Sequence, residues 1–277
     1  MPKLDKLIRE LCSDGVQVFR LEEIAHYAKT RIDCKTINED NYVGVENLLQ
    51  NKAGKTKATS VPTTGMVIAY QKNDILIGNI RPYLRKVWLA DCEGGTNGDV
   101  LTVQIKDTEK VLPQFLYYVL SSEKFFLYDI QNSKGAKMPR GSKDAVMKFE
   151  IPLPPIEVQR EIVRILDNFS NLTAELTAEL TAELTARKTQ YAYYRDKLLK
   201  AETNAHKYKL GEIATVTKLA GFEFTNYVTY SENGNIIALR GLNVKNGRLD
   251  LHDVKYVDKS DFSKLERSKL HIGDMLF

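Results

Sequence analysis

The sequence predicts an α+β protein in three parts. A globular domain covers residues 1–155, a long coiled-coil-type helix covers 156–202, and the start of a second, homologous α+β domain covers 203–277. Three observations predict this. Residues 172–186 read LTAELTAELTAELTA, with three TAEL units in a row. No Pro or Gly interrupts the stretch from Ile156 to Glu202. Pieces of the first segment recur after that stretch at slowly growing offsets.

In the first segment, LDKLIRELC has the spacing of a helix. The short apolar runs MVIAY (66–70), DILIGNI (74–80) and KVWLAD (86–91) are bounded by Gly, Asn, Asp and Pro, and read as strands. QFLYYVLSSEKFFLYDI (114–130) is apolar all round and reads as one or two buried helices. A Lys- and Gly-rich loop, NSKGAKMPRGSK, follows at 132–143. VMKFEIPLP then reads as a last strand, stopped by Pro152, Pro154 and Pro155.

From Ile156 the pattern is helical. Ile162, Ile165, Leu166 and Phe169 share one side, and the stripe continues through Leu172, Leu176, Leu180 and Leu184 to Tyr191, Tyr194 and Leu198. Ala, Leu and Glu are strong helix formers. Each TAEL unit adds about 6 Å of helix at ~1.5 Å per residue. So long a helix cannot bury its apolar stripe alone and needs a partner helix. Beyond it, LGEIA (210–214) matches LEEIA (21–25), IIALRGLNVKNGR (236–248) resembles YVGVENLLQNKAG (42–54), and GDMLF (273–277) resembles NDILIGNI (73–80). The offsets are 189, 194 and 200 residues. They grow as two copies of one domain with small loop insertions would require.

The chemistry-bearing motifs of enzymes are missing. The four histidines, His26, His206, His252 and His271, form no metal-ligand pair. There is no GxSxG, no Walker loop and no GxGxxG. Neither a methyltransferase tetrapeptide of the Asn- or Asp-Pro-Pro-aromatic kind nor a nuclease cluster of an Asp followed by Glu-x-Lys occurs. Cys12, Cys34 and Cys92 are scattered, without CxxC, and support neither a disulfide framework nor a zinc site. No catalytic residue, metal or cofactor is expected. The N-terminus lacks a signal-type apolar core, and no run approaches ~18 apolar residues, so a cytoplasmic protein with no membrane span is expected.

Basic loops are what remain. The net charge is only +4, but cations cluster. Lys52, Lys55 and Lys57 lie in NKAGKTK; Arg81, Arg85 and Lys86, with Tyr83 between, in NIRPYLRKVW; and Lys134, Lys137, Arg140 and Lys143 in NSKGAKMPRGSK. Exposed cations of this kind suit phosphate contacts and base edges, and these eleven residues are the candidate DNA-binding set. Trp88 reads as core.

Four stretches together carry a family resemblance: EIPLPPIEVQREIVRILDNF (150–169), the TAEL array, ARKTQYAYYRDKLL (186–199) and the LGEIA-type opening of each globular unit. With the duplication they cover nearly the whole chain, and they resemble the specificity subunit of a type I DNA restriction-modification system. The resemblance implies that each globular unit is a target-recognition domain reading one half of a split double-stranded DNA target. It implies that antiparallel spacer helices hold the readers apart, and that modification subunits supply methylation. Restriction subunits, joined through the modification complex, would supply cleavage. The specificity subunit is itself non-catalytic. A full-length member would carry a whole second reader and a second long helix, so a chain truncated within the second reader is expected. Its stripe would then pair, antiparallel, with the same helix of a second copy, giving a palindromic target with a gap. The alternative is a coiled-coil scaffold with no direct DNA role.

Overall fold

The computed structural model describes residues 2–200, 206–216, 228–245, 247–258 and 269–276. By internal contacts the chain forms two compact units, Met1–Thr189 and Gln190–Phe277.

The first unit runs α1 (Pro2–Leu11), β1 (Val18–Arg20), α2 (Leu21–Ile24), β2 (Ala25–Tyr27), β3 (Arg31–Asp33), β4 (Tyr42–Val43), β5 (Met66–Tyr70), β6 (Ile75–Gly78), β7 (Val87–Leu89), β8 (Gly94–Thr96), β9 (Val100–Ile105), α3 (Pro113–Leu120), α4 (Glu123–Gln131), α5 (Lys143–Met147) and β10 (Glu150–Pro152), then enters α6 (Ile156–Leu199). One four-stranded sheet has the order β2-β9-β6-β7 and is antiparallel throughout. A second, β3-β5-β8-β4, has one parallel pair, β4 with β8.

Alternation in β6 explains the layering. Ile75 and Ile77 face a core shared with α3 and α4, where Leu116, Leu120, Phe125 and Phe126 are buried. Leu76 points the other way, to a second core with Tyr70, Trp88 and Val100. Trp88 meets the Tyr70 ring edge-on at 5.8 Å, so it lies in the core as the sequence predicts.

The strands read from MVIAY, DILIGNI and KVWLAD all form. The 114–130 run is two helices, broken at Ser121–Ser122, where the Ser122 hydroxyl caps α4 by accepting from Phe125 N–H. VMKFEIPLP is only partly a strand. Its Val146 and Met147 close α5, whose N-cap is Ser142, and the strand is confined to Glu150–Pro152. That strand pairs with β1, Phe19 opposite Ile151, so the domain's first and last strands are neighbours.

The predicted helix over 156–202 is observed as Ile156–Leu199, 44 residues and roughly 66 Å long; Ala201 and Glu202 lie outside the described residues. Along the TAEL array each threonine turns its hydroxyl back to the carbonyl four residues earlier, from Thr173 onto Phe169 (2.8 Å) through Thr177, Thr181 and Thr185 to Thr189 (3.1 Å). The hydroxyls are thereby satisfied within the helix, leaving the threonine methyls beside the leucines.

The second unit contains α7 (Leu210–Ile213), β11 (Ile236–Ala238), β12 (Val244–Lys245), β13 (Arg248–Leu249) and β14 (Lys255–Val257), with β11 paired to β14 and β12 to β13. The duplication is visible in three small devices. Glu23 caps the Arg20 N–H at 2.5 Å, and Glu212 caps the Lys209 N–H at 3.1 Å. Buried Asn47 accepts from Gly44 N–H, and buried Asn243 from Arg240 N–H, both at 2.9 Å. Asp74 accepts from Gln71 N–H, and Asp274 from His271 N–H, both at 2.8 Å. The offsets of these pairs are 189, 196 and 200, so the structure shifts the middle match by two residues. Met275 and Leu276 lie in no strand among the described residues, unlike their counterparts Ile75 and Leu76 in β6.

Candidate nucleic-acid interface

The turn between β6 and β7 is strained and clamped. Arg81 (φ 53°) and Arg85 (φ 52°) both sit in the left-handed region, flanking a 3₁₀ turn, Pro82–Leu84, that carries Tyr83 outward. Such a conformation costs a non-glycine residue on the order of 1–2 kcal/mol. Neighbouring loops hold it. Arg81 N–H donates to the Pro139 carbonyl at 2.7 Å, Gly141 N–H to the Asn79 carbonyl at 3.0 Å, and Lys52 N–H to the Arg85 carbonyl at 2.9 Å. Asn51 (φ 54°) and Lys52 (φ 63°) are left-handed as well. Lys134 and Arg140 exchange backbone hydrogen bonds, closing a hairpin whose bend uses Gly135 (φ 103°). Residues 79–86 therefore bring the three basic loops onto one surface.

The cations on that surface differ. Lys52, Arg81, Lys134 and Lys137 are exposed and form no ion pair among the described residues. Lys57 is held by Asp40 (2.9 Å) and Glu39 (3.7 Å), and these acids raise its pKa. Arg85 pairs with Glu123, and Arg140 with Asp99 at 3.3 Å. Lys86 turns inward to the Val45 carbonyl (2.7 Å), where burial lowers its pKa. Lys55 bonds the Asp40 carbonyl (2.7 Å) and covers Trp88 with its ammonium 5.2 Å from the ring centre. Lys143 is not in the loop; it opens α5, exposed, with its carbonyl accepting from Tyr27 Oη. Met138, exposed at the hairpin tip between Lys137 and Pro139, is a surface apolar group that charge counting passes over.

Beneath the hairpin, a Cβ on Gly141 would lie 2.4 Å from an Asp129 carboxylate oxygen and 2.9 Å from Asn79 Oδ1, so only glycine fits. Asp129 is buried, neither of its oxygens has a hydrogen-bond partner among the described residues, and burial pushes its pKa up to about 6 from 3.8. Between about pH 4 and 6 the unfolded chain has released this proton while the folded chain keeps it. Stability therefore falls across that window, and the full cost stands above about pH 6. Asp129→Asn is expected to flatten this slope and, at pH 7.5, to stabilise by about 1–3 kcal/mol, several degrees in Tm. Urea unfolding at pH 5 and pH 7.5 checks it; equal effects at both values would refute the assignment.

On α6, Ile162, Ile165 and Leu166 are half-buried in the first unit, whereas Phe169, Leu172, Leu176, Leu180, Leu184, Tyr191, Tyr194 and Leu198 are all more than half exposed. Among the described residues no cluster of His, Cys, Asp and Glu could hold a metal, and no helix is long and apolar enough to cross a membrane.

The site is thus a strained, basic, multi-loop surface on an α+β domain that ends in a long exposed helix. Comparison gives its class. Residues 13–186 match the model of the type I restriction modification DNA specificity domain. A type I restriction enzyme specificity subunit (MjaVIII) of Methanocaldococcus jannaschii is 23% identical over 94% of this chain and 62% of its own length. A putative specificity subunit of Haemophilus influenzae is 41% identical over 40% of this chain and 29% of its own. The EcoprrI specificity subunit of Escherichia coli is 55% identical over 25% of this chain and 20% of its own. The HsdS subunit of Thermoanaerobacter tengcongensis has a similar fold, with a TM-score of 0.50 at 18% identity over 82% of this chain and 60% of that one. A chain from a type I R-M assembly scores 0.52 at 20% identity, over 80% and 60%. This chain thus belongs to the type I restriction-modification DNA specificity family, and it spans less than two thirds of each of these relatives.

Proposed function

We propose that the chain is the non-catalytic reader of a type I restriction-modification complex. It recognises one half of a split double-stranded DNA target, α6 sets the distance to the other half, and modification subunits and, through them, restriction subunits act on what is read. The observation that carries this reading is the convergence of three basic loops, strained and mutually clamped, on one face of the unit from which α6 extends. The Lys52, Arg81, Lys134 and Lys137 side chains serve as phosphate or base contacts, with Tyr83 and Met138 between them. The test is methylation mapping of DNA exposed to the complex: a bipartite motif with a gap of constant length is expected, and a continuous motif would refute the reading.

The exposed stripe of α6 is proposed to pair with the α6 of a second copy, antiparallel. Charge favours this direction. Residues 157–183 carry six acids and two bases, whereas residues 187–197 carry four bases and one acid. Antiparallel pairing sets basic ends against acidic ends, and parallel pairing sets like against like. Replacing Leu176 and Leu180 together by Glu is expected to turn the dimer into a monomer, read by size-exclusion chromatography with light scattering; an unchanged mass would exclude this face.

A further inference from the structure

The base of α6 is fastened in an unusual way. Gln159 is fully buried, and its amide is nearly saturated. Its Oε1 accepts from Leu112 N–H at 3.0 Å, and its Nε2 donates to the carbonyls of Lys110 and Pro154, both at 2.8 Å. Val158 beside it is also buried. Two turns on, Asp167 accepts from the Tyr118 hydroxyl of α3 at 2.6 Å. Between these ties, buried Glu161 binds Arg164 (2.6 Å) and Lys3 of α1 (3.0 Å), which together hold its pKa down to about 2. From Asp167 to Tyr191 every residue is exposed. Within its unit the helix is thus a lever gripped at one end.

Leverage makes that grip matter. From Asp167 to Thr189 the helix runs roughly 33 Å at ~1.5 Å per residue. A tilt of only about 6° at the base moves the helix at Thr189 sideways by about 3.4 Å, the rise of one base pair. Apolar packing alone is tolerant of such tilts, whereas three directional hydrogen bonds to backbone groups are not. A buried glutamine that supplies one acceptor and two donors to main chain is a device for angle.

We propose that Gln159, with the Tyr118–Asp167 bond as its second tie, is a positioning residue that fixes the angle at which the spacer leaves the reader, and thereby the tolerance in gap length. This rests on the proposed reading that α6 sets the gap. Two measurements separate the proposal from that reading. In the full chain with Cys12, Cys34 and Cys92 replaced by Ala, nitroxide labels at positions 148 and 183 report the distance from domain to helix by pulsed electron resonance. Gln159→Leu is expected to widen the distance distribution at least twofold, and Tyr118→Phe to widen it less; wild-type widths in both would overturn the joint while leaving the gap reading intact. In the complex with modification subunits, a target library of varied gap length should lose about tenfold discrimination against gaps one base pair longer or shorter, with half-site bases unchanged. A widened distribution with undiminished gap discrimination would overturn the gap reading and, with it, the proposed role of the joint. A residue that merely supports the fold would lower the melting temperature and move neither readout. Should Gln159→Leu fail to fold, Tyr118→Phe, which removes a single hydroxyl, carries both comparisons.

Discussion

Insertion of two residues after Leu180 is expected to abolish pairing of the long helix, whereas insertion of a full TAEL unit at the same place preserves it. The reason is angular. At about 100° per residue, two added residues rotate everything beyond them by about 200° and advance it by only ~3 Å. Phe169, Leu172, Leu176 and Leu180 would then face one way, and Leu184, Tyr191, Tyr194 and Leu198 nearly the opposite way. Four added residues rotate the remainder by about 40° and advance it by about 6 Å. The stripe stays continuous, and on the proposed reading the gap in the DNA target is expected to lengthen. Light scattering should report a monomer for the two-residue insertion and a dimer for the four-residue one. Methylation mapping should show the longer gap with the same half-site bases. Equal behaviour of the two insertions would mean that the array is a tether whose phase is irrelevant.

The second large effect is expected at the basic surface. Replacing Lys52, Arg81, Lys134 and Lys137 together by Gln should lower the dependence of log affinity on log salt by about three to four, since each phosphate contact contributes ~0.9. Affinity at moderate salt should fall by about two to three orders of magnitude, measured by fluorescence anisotropy on the complex with its modification subunits. Lys57→Gln is the internal control. That ammonium already belongs to Asp40 and Glu39, so its removal should change the slope by less than about one. A comparable loss from Lys57→Gln would show that the ion pairs break on binding and that the distinction between free and paired cations fails.

That distinction is the part of the site the sequence could not show. Ten of the eleven candidate residues are legible because cations among Gly, Ser and Pro stand out in a string, and Tyr83 lies between them. What neutralises some of them comes from elsewhere: Glu123 on α4 reaches Arg85, Asp99 reaches Arg140, and Asp40 reaches Lys57. The backbone clamps are equally non-local, joining Lys52 to Arg85 and Arg81 to Pro139. In the fold, the strands formed by short apolar runs bounded by Gly, Asn, Asp and Pro, and the long helix, follow from local pattern. Strand β8 does not. Gly94–Gly95–Thr96 has poor strand propensity and is a strand because it pairs with β5 and β4; glycine is required by the close approach, since a Cβ on Gly94 would lie 2.0 Å from the Asn41 carbonyl oxygen. Helix α5 is not legible in the string because VMKFEIPLP spans the end of a helix and a three-residue strand.

The pairing of β1 with β10 carries a consequence for how such proteins change over generations. The chain enters the domain body beside the place where it leaves, with Leu153 N–H donating to the Gln17 carbonyl at 2.8 Å. Everything between Val18 and Pro152 is therefore a cassette with both ends at one doorway. Exchange of this cassette for another of the same topology would leave the origin of α6 where it was. Adding or removing a TAEL unit would change the length of α6 and leave the cassette untouched. If the cassette reads and the helix spaces, as proposed above, what is read and how far apart it is read are separate heritable characters, each free to vary without disabling the other.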